Sequence, residues 1–225
     1  MRSQPFLHSI IKYIILCEGI LVLRMEGSLL FKDQLFSAFQ EEGVEERLML
    51  IRNRIDPFFE DVEKSVLPIL NAESPQYHAF IAKHARRHRN PPPNTWVAFG
   101  KRTRGYKMVP HYEVGIWCDQ LFIWLACEVN ILDRSQIIQM LTHKKSQFLE
   151  LRPLFYLSTN HMLKEETPLI DDAFSKAVLN YGEKRQTEVL IGRVLGKDDP
   201  ILEDKKRTLR AITDTIIQLS TIWDK

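Results

Sequence analysis

The sequence predicts an α+β fold, a single domain with one mostly antiparallel sheet, helices packed on that sheet, and helices at both ends. Apolar residues recur at spacings of three and four from Val44 to Leu70, which is typical of an amphipathic helix. Short runs rich in aromatic and β-branched residues follow from Tyr77 to Val129. A second helical pattern spans Lys206 to Trp223. Consecutive strands between flanking helices favour the α+β class.

The length of 225 residues fits one domain. We expect residues 1–26 to be a non-globular extension or a mis-called start, with the working chain beginning near Met25, and residues 27–225 to form the single α+β domain. The apolar run from Ile10 to Leu23 is short and is interrupted by Lys12 and Glu18, which argues against a membrane span. A helix docked on the domain or an interfacial anchor is the alternative for this segment.

The helix over Val44–Leu70 contains Pro57, which predicts either two helices or one bent helix, because proline lacks the N–H donor and disfavours helix at the residue before it. Asn71 and Pro75 end the pattern. Four strands are then predicted, at Tyr77–Lys83, Thr95–Phe99, Tyr112–Trp117 and Leu121–Val129.

The last two of these strands are separated by a hairpin-sized gap at Cys118–Gln120. The run Leu121–Val129 is nearly all apolar, so we expect it to be central and covered on both faces. Further along the chain the pattern predicts a helix, a short strand, a helix, a strand and the closing helix. Their expected positions are Ser135–Leu151 with Asp133 as cap, Leu154–Leu157, Pro168–Tyr181 with Thr167 as cap, Thr187–Leu195 and Lys206–Trp223.

Cysteine usage indicates a reducing compartment. The chain has three cysteines, Cys17, Cys118 and Cys127, without a CxxC pair, which argues against a disulfide framework and a zinc ribbon. Cys118 and Cys127 lie among apolar residues, so both are expected to be buried thiols. The predicted location is cytoplasmic, with no membrane partner.

Charge is unevenly distributed along the chain. Residues 74–112 contain no Asp or Glu, so this window carries +8, and the remaining 23 basic and 29 acidic residues leave −6 elsewhere. Unpaired like charges at close quarters repel until a counter-charge arrives, so the window predicts an anionic partner. The basic residues of the window are Lys83, Arg86, Arg87, Arg89, Lys101, Arg102, Arg104 and Lys107.

Two basic segments flank the predicted strand Thr95–Phe99, and we expect them to lie on neighbouring parts of the surface. Guanidinium groups suit phosphate geometry, and interleaved aromatic residues (Trp96, Phe99, Tyr106 and Tyr112) could stack on a base. The alternative is that these aromatic residues are core and that carboxylates elsewhere neutralise the arginines. The predicted anion-binding residues are Lys83, His84, Arg86, Arg87, Arg102, Arg104, Lys107, His111 and Arg193, with Asp198 and Asp199 as carboxylate candidates.

The segment Ile81–Arg87, followed by Asn90-Pro91-Pro92, Thr95-Trp96, Arg104-Gly105-Tyr106-Lys107 and Pro110-His111, resembles one known family. Further matching segments are Phe122-Ile123-Trp124-Leu125-Ala126, Ile191-Gly192-Arg193 and Asp198-Asp199-Pro200. The family is the YktB-like group of uncharacterised proteins from Bacillus-group bacteria. The resemblance covers the chain from about Leu30 onward and implies a compact α+β domain. It implies no activity.

Three functions remain open from the sequence. The first is a binding module for a phosphate-bearing anion, either a nucleotide or nucleic acid. The second is an enzyme for a small phosphorylated or carboxylated substrate, with His84 or His111 as acid or base, Arg86 and Arg193 as the anion clamp, and Asp198 or Asp199 orienting them. The third is an interaction or structural protein, in which case charge asymmetry could support a homo-oligomer.

No metal site or cofactor is predicted. His84 and His88 have the spacing of a helical metal-binding pair, but the segment reads as strand and loop, and neighbouring cations repel a metal ion. Adjacent aspartates before Pro200 are more typical of a turn or a helix cap than of catalysis. Signatures of nucleotide-binding loops, zinc proteases and serine hydrolases are missing from the sequence.

Overall fold

The computed structural model describes residues 31–73 and 76–225, so the predicted extension at residues 1–26 lies outside the described residues. Seven antiparallel strands form one sheet in the order β1-β2-β3-β4-β7-β5-β6. The strands are β1 (His78–Ile81), β2 (Asn94–Gly100), β3 (His111–Trp117), β4 (Gln120–Cys127), β5 (Tyr156–Ser158), β6 (Thr167–Pro168) and β7 (Val189–Gly196). The α-helices are α1 (Phe31–Phe36), α2 (Val44–Leu50), α3 (Asp56–Leu70), α4 (Arg134–His143), α5 (Lys145–Leu149), α6 (Asp171–Glu183) and α7 (Lys205–Trp223). The predicted α+β class is confirmed.

Strand β4 occupies the middle of the sheet, with β3 on one side and β7 on the other. Residues Leu121 to Cys127 are all buried, as expected for an apolar run covered on both faces. The predicted hairpin joins β3 to β4 and pairs Gly115 with Phe122. Side chains alternate across the strands, so one face of the sheet meets the helices and the other does not.

The helix face of the sheet forms the main core. It includes Val114 and Ile116 of β3 and Ile123 of β4, which belong to the same buried cluster as Val62 and Ile216 from α3 and α7. Helices α3 and α7 contact each other as well as the sheet. The aromatic residues Phe99 and Tyr112 are fully buried on this face, so the prediction that they could stack on a base is wrong for these two.

Pro57 lies in the first turn of α3, and the helical path continues through it. A π-helical turn at Ile51–Ile55 connects α2 to α3. Proline cannot donate a backbone hydrogen bond, and a wide turn just before it accommodates the missing donor. The result is two α-helical segments in one continuous path, in agreement with the predicted break or bend.

Two predicted helices differ from the structure. The segment expected as one helix over Ser135–Leu151 is divided at Lys144 into α4 and α5, although Asp133 caps α4 as predicted by accepting from the N–H of Gln136. Helix α6 begins at Asp171, and Thr167 and Pro168 instead pair with β5. Proline is tolerated at a sheet edge because its missing N–H can face away from the ladder, so pairing prevails over helix capping here.

Cys118 was expected to be buried but is exposed, because it occupies the hairpin turn between β3 and β4. Cys127 is buried as predicted, and burial raises the pKa of its thiol. Among residues 31–73 and 76–225, no helix has both the length and the apolar character needed to cross a membrane.

Candidate functional site

The predicted basic residues fall at two ends of the sheet. Strand β2 separates the basic loop (residues 82–93) from the basic turn (residues 101–110). A strand of seven residues, at about 3.3 Å per residue, places its two ends roughly 20 Å apart. The expectation that the two segments lie on neighbouring surface therefore fails for their arginines, which leave the strand at opposite ends, although His84 of the loop and Lys107 of the turn both contact the Trp96 ring. Arg86 and Arg87 lie at one end, and Arg102 and Arg104 lie at the other.

The basic loop is attached to the domain at several points. The Ala82 N–H donates to the Trp96 carbonyl at 2.9 Å, and His84 Nε2 lies 3.0 Å from Thr95 Oγ1. From helix α2, the Arg47 guanidinium donates to the Pro92 carbonyl at 3.0 Å. These contacts fix the loop at both ends, so its cations project from a defined backbone.

His84 adopts a left-handed backbone conformation with φ of 49°, which histidine tolerates better than most residues. Its carbonyl accepts from the Arg87 N–H at 2.9 Å and closes a tight turn. Burial and the neighbouring Arg87 lower the pKa of His84 to about 4, so the ring is neutral at physiological pH. His84 therefore contributes hydrogen-bonding groups but no charge to this end of the sheet.

Two cavities open between the basic loop and α2. A cavity of ≈ 370 Å³ is lined in part by Arg52, Lys83, His84 and Asp56. A second cavity of ≈ 540 Å³ is lined in part by Arg52, His84, Arg87, His88 and Glu45. Because Arg52 and His84 line both, the two cavities form neighbouring parts of one concave surface.

Lys107 and His111 have a different environment from the rest of the basic window. They belong to a carboxylate–histidine cluster on the sheet face opposite the helices, made of Lys107, His111, Glu113, Glu128, His161 and Glu188. His111 is 0 % exposed, and Glu113, Glu128 and Glu188 are 2 %, 1 % and 3 % exposed. Charges buried to this degree are retained only when they are paired or bound to an ion.

The first part of the cluster surrounds His111. Its Nδ1 lies 2.9 Å from the Val109 carbonyl oxygen, and its Nε2 lies 3.2 Å from Glu113 Oε1 and 3.4 Å from Glu128 Oε1. Lys107 Nζ donates to Glu128 Oε1 at 2.7 Å. Burial by itself lowers the pKa of His111, but the two carboxylates outweigh burial and raise that pKa to about 9.

The second part of the cluster is the pair His161 and Glu188. His161 Nδ1 lies 2.9 and 2.8 Å from the two oxygens of Glu188, and the His161 backbone N–H donates to the same carboxylate at 2.7 Å. Burial lowers the pKa of His161, but the bond to Glu188 and the charge of Glu128 raise it overall. Glu128 connects the two parts, because it lies within 4.8 Å of both the His161 and Glu188 ligand atoms.

Aromatic rings lie beside the cluster. Trp96 Nε1 donates to the Tyr106 hydroxyl at 2.9 Å, and Lys107 Nζ lies 5.2 Å from the centre of the Trp96 ring. A Cβ atom at position 115 would lie 2.1 Å from the Phe122 ring, so glycine is required for that ring to lie flat on the sheet. Trp96 and Tyr106 are thus engaged with protein groups rather than open for a base.

The predicted residues Arg193, Asp198 and Asp199 do not join His84. Strands β1 and β7 are four positions apart in the sheet, or roughly 19 Å at about 4.8 Å per strand. The two cavities that His84 lines contain none of these three residues. The single pocket required for the predicted enzyme is therefore not formed.

Asp199 instead caps the short helix at Pro200–Glu203, since its Oδ1 accepts from the Ile201 N–H at 2.9 Å, in line with the turn or cap interpretation. Arg193 forms no ion pair with Asp198 or Asp199 within the described part of the chain.

Comparison with known families gives a match over nearly all the described chain. A family model described as "Domain of unknown function (DUF1054)" matches residues 31–223. The chain belongs to this family. The DUF1054 match agrees with the prediction of an uncharacterised family, which is thereby confirmed.

Relatives with the description "UPF0637 protein" support the DUF1054 assignment. One from Leuconostoc citreum is 41 % identical over 173 residues, covering 76 % of this chain and 86 % of the relative. Another, from Lacticaseibacillus casei, is 33 % identical over 196 residues, covering 87 % and 96 %. A third, from Exiguobacterium sibiricum, is 33 % identical over 196 residues, covering 87 % and 97 %.

The sequence interpretation missed four members of the carboxylate–histidine cluster, namely Glu113, Glu128, His161 and Glu188. A local signal existed for one of them, because His111 and Glu113 are two apart on a strand and therefore share a face. Glu128 directly follows an apolar strand, where an acid is unusual. His161 and Glu188 join the cluster through pairings of β5 and β7 that depend on the three-dimensional arrangement.

Proposed function

We propose that this DUF1054 protein binds a phosphate-bearing ligand at the basic loop, through Lys83, Arg86 and Arg87, with His84 positioning them. The observation that carries the proposal is the lack of internal neutralisation. Lys101 and Lys107 each pair with a carboxylate, Asp224 and Glu128. By contrast, within residues 31–73 and 76–225 the cations of the basic loop form no ion pair, and they lie beside two cavities, whereas the equally unpaired Arg102 and Arg104 line neither of them.

The geometry of the loop supports this role. Lys83 and Arg86 are exposed, while Arg87 is half-buried and faces the ≈ 540 Å³ cavity. The backbone that carries them is fixed by the His84 turn and by the Arg47 bond to Pro92. A fixed backbone reduces the ordering cost of binding, and arginine can meet phosphate oxygens with two parallel N–H donors.

The dimensions favour a small phosphorylated ligand, such as a nucleotide, over a nucleic-acid strand. Cavities of ≈ 370 and ≈ 540 Å³ fall in the range of small-molecule sites. Arg102 and Arg104 follow the far end of β2, roughly 20 Å along the strand from the basic loop, and Trp96 is engaged by Tyr106 and Lys107. Recognition through base stacking on this ring therefore has less support than phosphate recognition.

A cytoplasmic location belongs to the same proposal. Cys118 and Cys127 are free thiols in the described chain, in keeping with a reducing compartment. Phosphorylated metabolites are abundant there.

The test is a titration with a fluorescent adenine nucleotide, with pyrophosphate, and with a labelled single-stranded oligonucleotide. We expect the nucleotide and pyrophosphate to bind at low salt and to weaken as salt is raised, since each contact replaces a counterion. The double substitution R86A/R87A should weaken binding at least tenfold. Absence of binding to all three probes at low salt would refute the proposal.

The matched control is R102A/R104A, which removes two arginines from the opposite end of the sheet. A small ligand held by the basic loop should be insensitive to this control. If both double substitutions weaken oligonucleotide binding equally, and the nucleotide does not bind, then the site is an extended nucleic-acid surface and the small-ligand proposal is wrong. For a strand, each lost phosphate contact would reduce the salt slope by about 0.7.

A further inference from the structure

Three side chains of the carboxylate–histidine cluster, His111, Glu113 and Glu128, each place one possible ligand atom within 4.8 Å of the other two. The nitrogen is His111 Nε2, and the nearest carboxylate atoms are Glu113 Oε1 and Glu128 Oε1. The two oxygens lie 3.2 and 3.4 Å from the nitrogen. All three side chains are buried, while the Lys107 side chain beside them is 27 % exposed and marks the route to solvent.

These separations differ from those of the ion pairs in the same cluster. Lys107 lies 2.7 Å from Glu128 and His161 lies 2.8 Å from Glu188, which are ordinary lengths for charge-assisted hydrogen bonds. Two ligands that are each about 2.1 Å from a metal ion are about 3.0 Å apart at a right angle and about 3.4 Å apart at a tetrahedral angle. The separations around His111 Nε2 fit the edges of such a coordination shell, and the shorter one is also within hydrogen-bond range.

The other nitrogen of His111 is arranged as in metal sites. Its Nδ1 faces the Val109 carbonyl at 2.9 Å, so a neutral ring that donates there directs the Nε2 lone pair toward Glu113 and Glu128. Lys107 bonds the same Glu128 oxygen and restrains the carboxylate. A metal-binding histidine oriented by a backbone carbonyl is a common arrangement.

The charge of the cluster suits one divalent cation. With both histidines neutral, the three carboxylates Glu113, Glu128 and Glu188 and the one ammonium of Lys107 sum to −2, so one divalent ion takes the place of the two protons that the histidines otherwise carry. One divalent ion makes the buried cluster neutral, whereas two ions would leave a net positive charge in it. The neighbouring group Glu128, His161 and Glu188 is less suitable, because Glu188 already receives both the ring and the backbone N–H of His161.

We propose that His111, Glu113 and Glu128 bind one divalent transition-metal ion, with Zn²⁺, Mn²⁺ and Fe²⁺ as the matching class. One imidazole and two carboxylates are ligands of intermediate hardness, and the set contains no thiolate that would select softer ions. Three protein ligands leave coordination positions for water or for a ligand oxygen, which is the pattern of catalytic rather than structural sites. The proposal is independent of phosphate binding at the basic loop.

The experiment is an isothermal titration calorimetry measurement in which chelator-stripped full-length protein is titrated with Zn²⁺ or with Mn²⁺. We expect one ion per chain, and a thermal transition that moves upward with metal concentration because the ion binds the folded state. E113Q keeps the shape of the side chain but removes an anionic ligand, so it should weaken binding at least tenfold. E188Q is the matched control, since it removes the same charge from the cluster without removing one of the three ligands, and it should weaken binding clearly less than E113Q does.

The K107M variant distinguishes a metal site from a simple network of ion pairs. Removal of the ammonium beside Glu128 should strengthen metal binding several-fold, because a repelling charge is lost. If the stripped wild-type protein binds neither ion at about 1 mM, the proposal fails. It fails equally if E188Q weakens binding as much as E113Q.

A measurement on the wild-type protein covers the case in which E113Q does not fold. Bound Mn²⁺ is paramagnetic and broadens nuclear magnetic resonance signals of nearby residues. We expect selective loss of the His111 and Glu128 signals at substoichiometric Mn²⁺. Broadening centred on exposed acids such as Glu203 instead would refute the assignment.

Discussion

The two faces of the sheet use the same strands for different purposes. On the helix face, Val114, Ile116 and Ile123 pack against helices in a continuous apolar core. On the other face, the intervening positions of β3 hold His111 and Glu113 in a buried charged cluster. Apolar burial contributes free energy of folding directly, whereas buried ion pairs contribute little net stability because desolvation offsets their attraction. The difference indicates that the helix face contributes most to the stability of the fold, while the opposite face combines a smaller apolar cluster with the buried charges.

The largest expected effect is on the helix face. Phe59 of α3 is fully buried, so F59A should lower the free energy of unfolding by about 3–5 kcal/mol. Urea denaturation monitored by circular dichroism measures this change in the free energy of unfolding. Metal and nucleotide affinities of the folded fraction should be unchanged, and a large change in either would show that the two faces are not separable.

The next largest effect is a pH dependence of the free energy of unfolding, caused by His111 on the opposite face and measured in chelator-treated protein. His111 has a raised pKa of about 9 when folded, against about 6.5 when unfolded, so its contribution is fully present below pH 6.5 and is lost as the pH rises through 9. The loss amounts to about 3 kcal/mol at most. H111Q should remove this alkaline loss, and a wild-type stability that stays level from pH 6.5 to 9 would contradict the prediction.

His84 is expected to cause a smaller pH dependence of stability, with the loss at acid rather than alkaline pH. Its folded pKa of about 4 lies below the unfolded value of about 6.5, so stability is present above pH 6.5 and is lost as the pH falls toward 4. After allowance for its partial exposure, this loss is about 1 kcal/mol. H84N is the matched variant, because asparagine tolerates the φ of 49° at this position. If the stability of wild type and of H84N falls equally between pH 6.5 and pH 4, protonation of His84 is not the cause.

The smallest effect is expected at the basic loop. R86A/R87A should change the free energy of unfolding by less than about 0.5 kcal/mol, because neither guanidinium has a carboxylate partner in the described residues. The same variant should lose ligand binding. A stability loss above about 1 kcal/mol would mean that these arginines have a structural role.

Most of the fold could be predicted from periodicity. Strand β4, the hairpin before it and the closing helix α7 are each determined by a pattern of residues that are close together in the chain. The start of α6 could not be predicted, because Thr167 and Pro168 pair with β5 and that pairing is non-local. Tertiary pairing overrides a local capping signal in such cases.

The candidate sites were less predictable than the fold. Charge counting identified the basic loop, but it also grouped Lys107 and His111 with the exposed arginines. Composition does not reveal that Glu128, at the end of β4, meets both of these side chains, or that Glu188 lies beside Glu128. A count of charges along the sequence measures proximity in the chain, whereas neutralisation depends on proximity in space.

Asp224 joins parts of the sheet that are far apart in the chain. Its carboxylate accepts from the hydroxyls of Tyr77 and Tyr112 at 2.8 Å each and from Lys101 Nζ at 2.7 Å. Helix α7, just before it, supplies buried residues to the core. During synthesis, all seven strands leave the ribosome before α7, the helix that packs on β4 and β7 at the middle of the sheet. A nascent chain that ends before Lys205 would display the apolar side of the sheet and would be a client for chaperones rather than a finished domain.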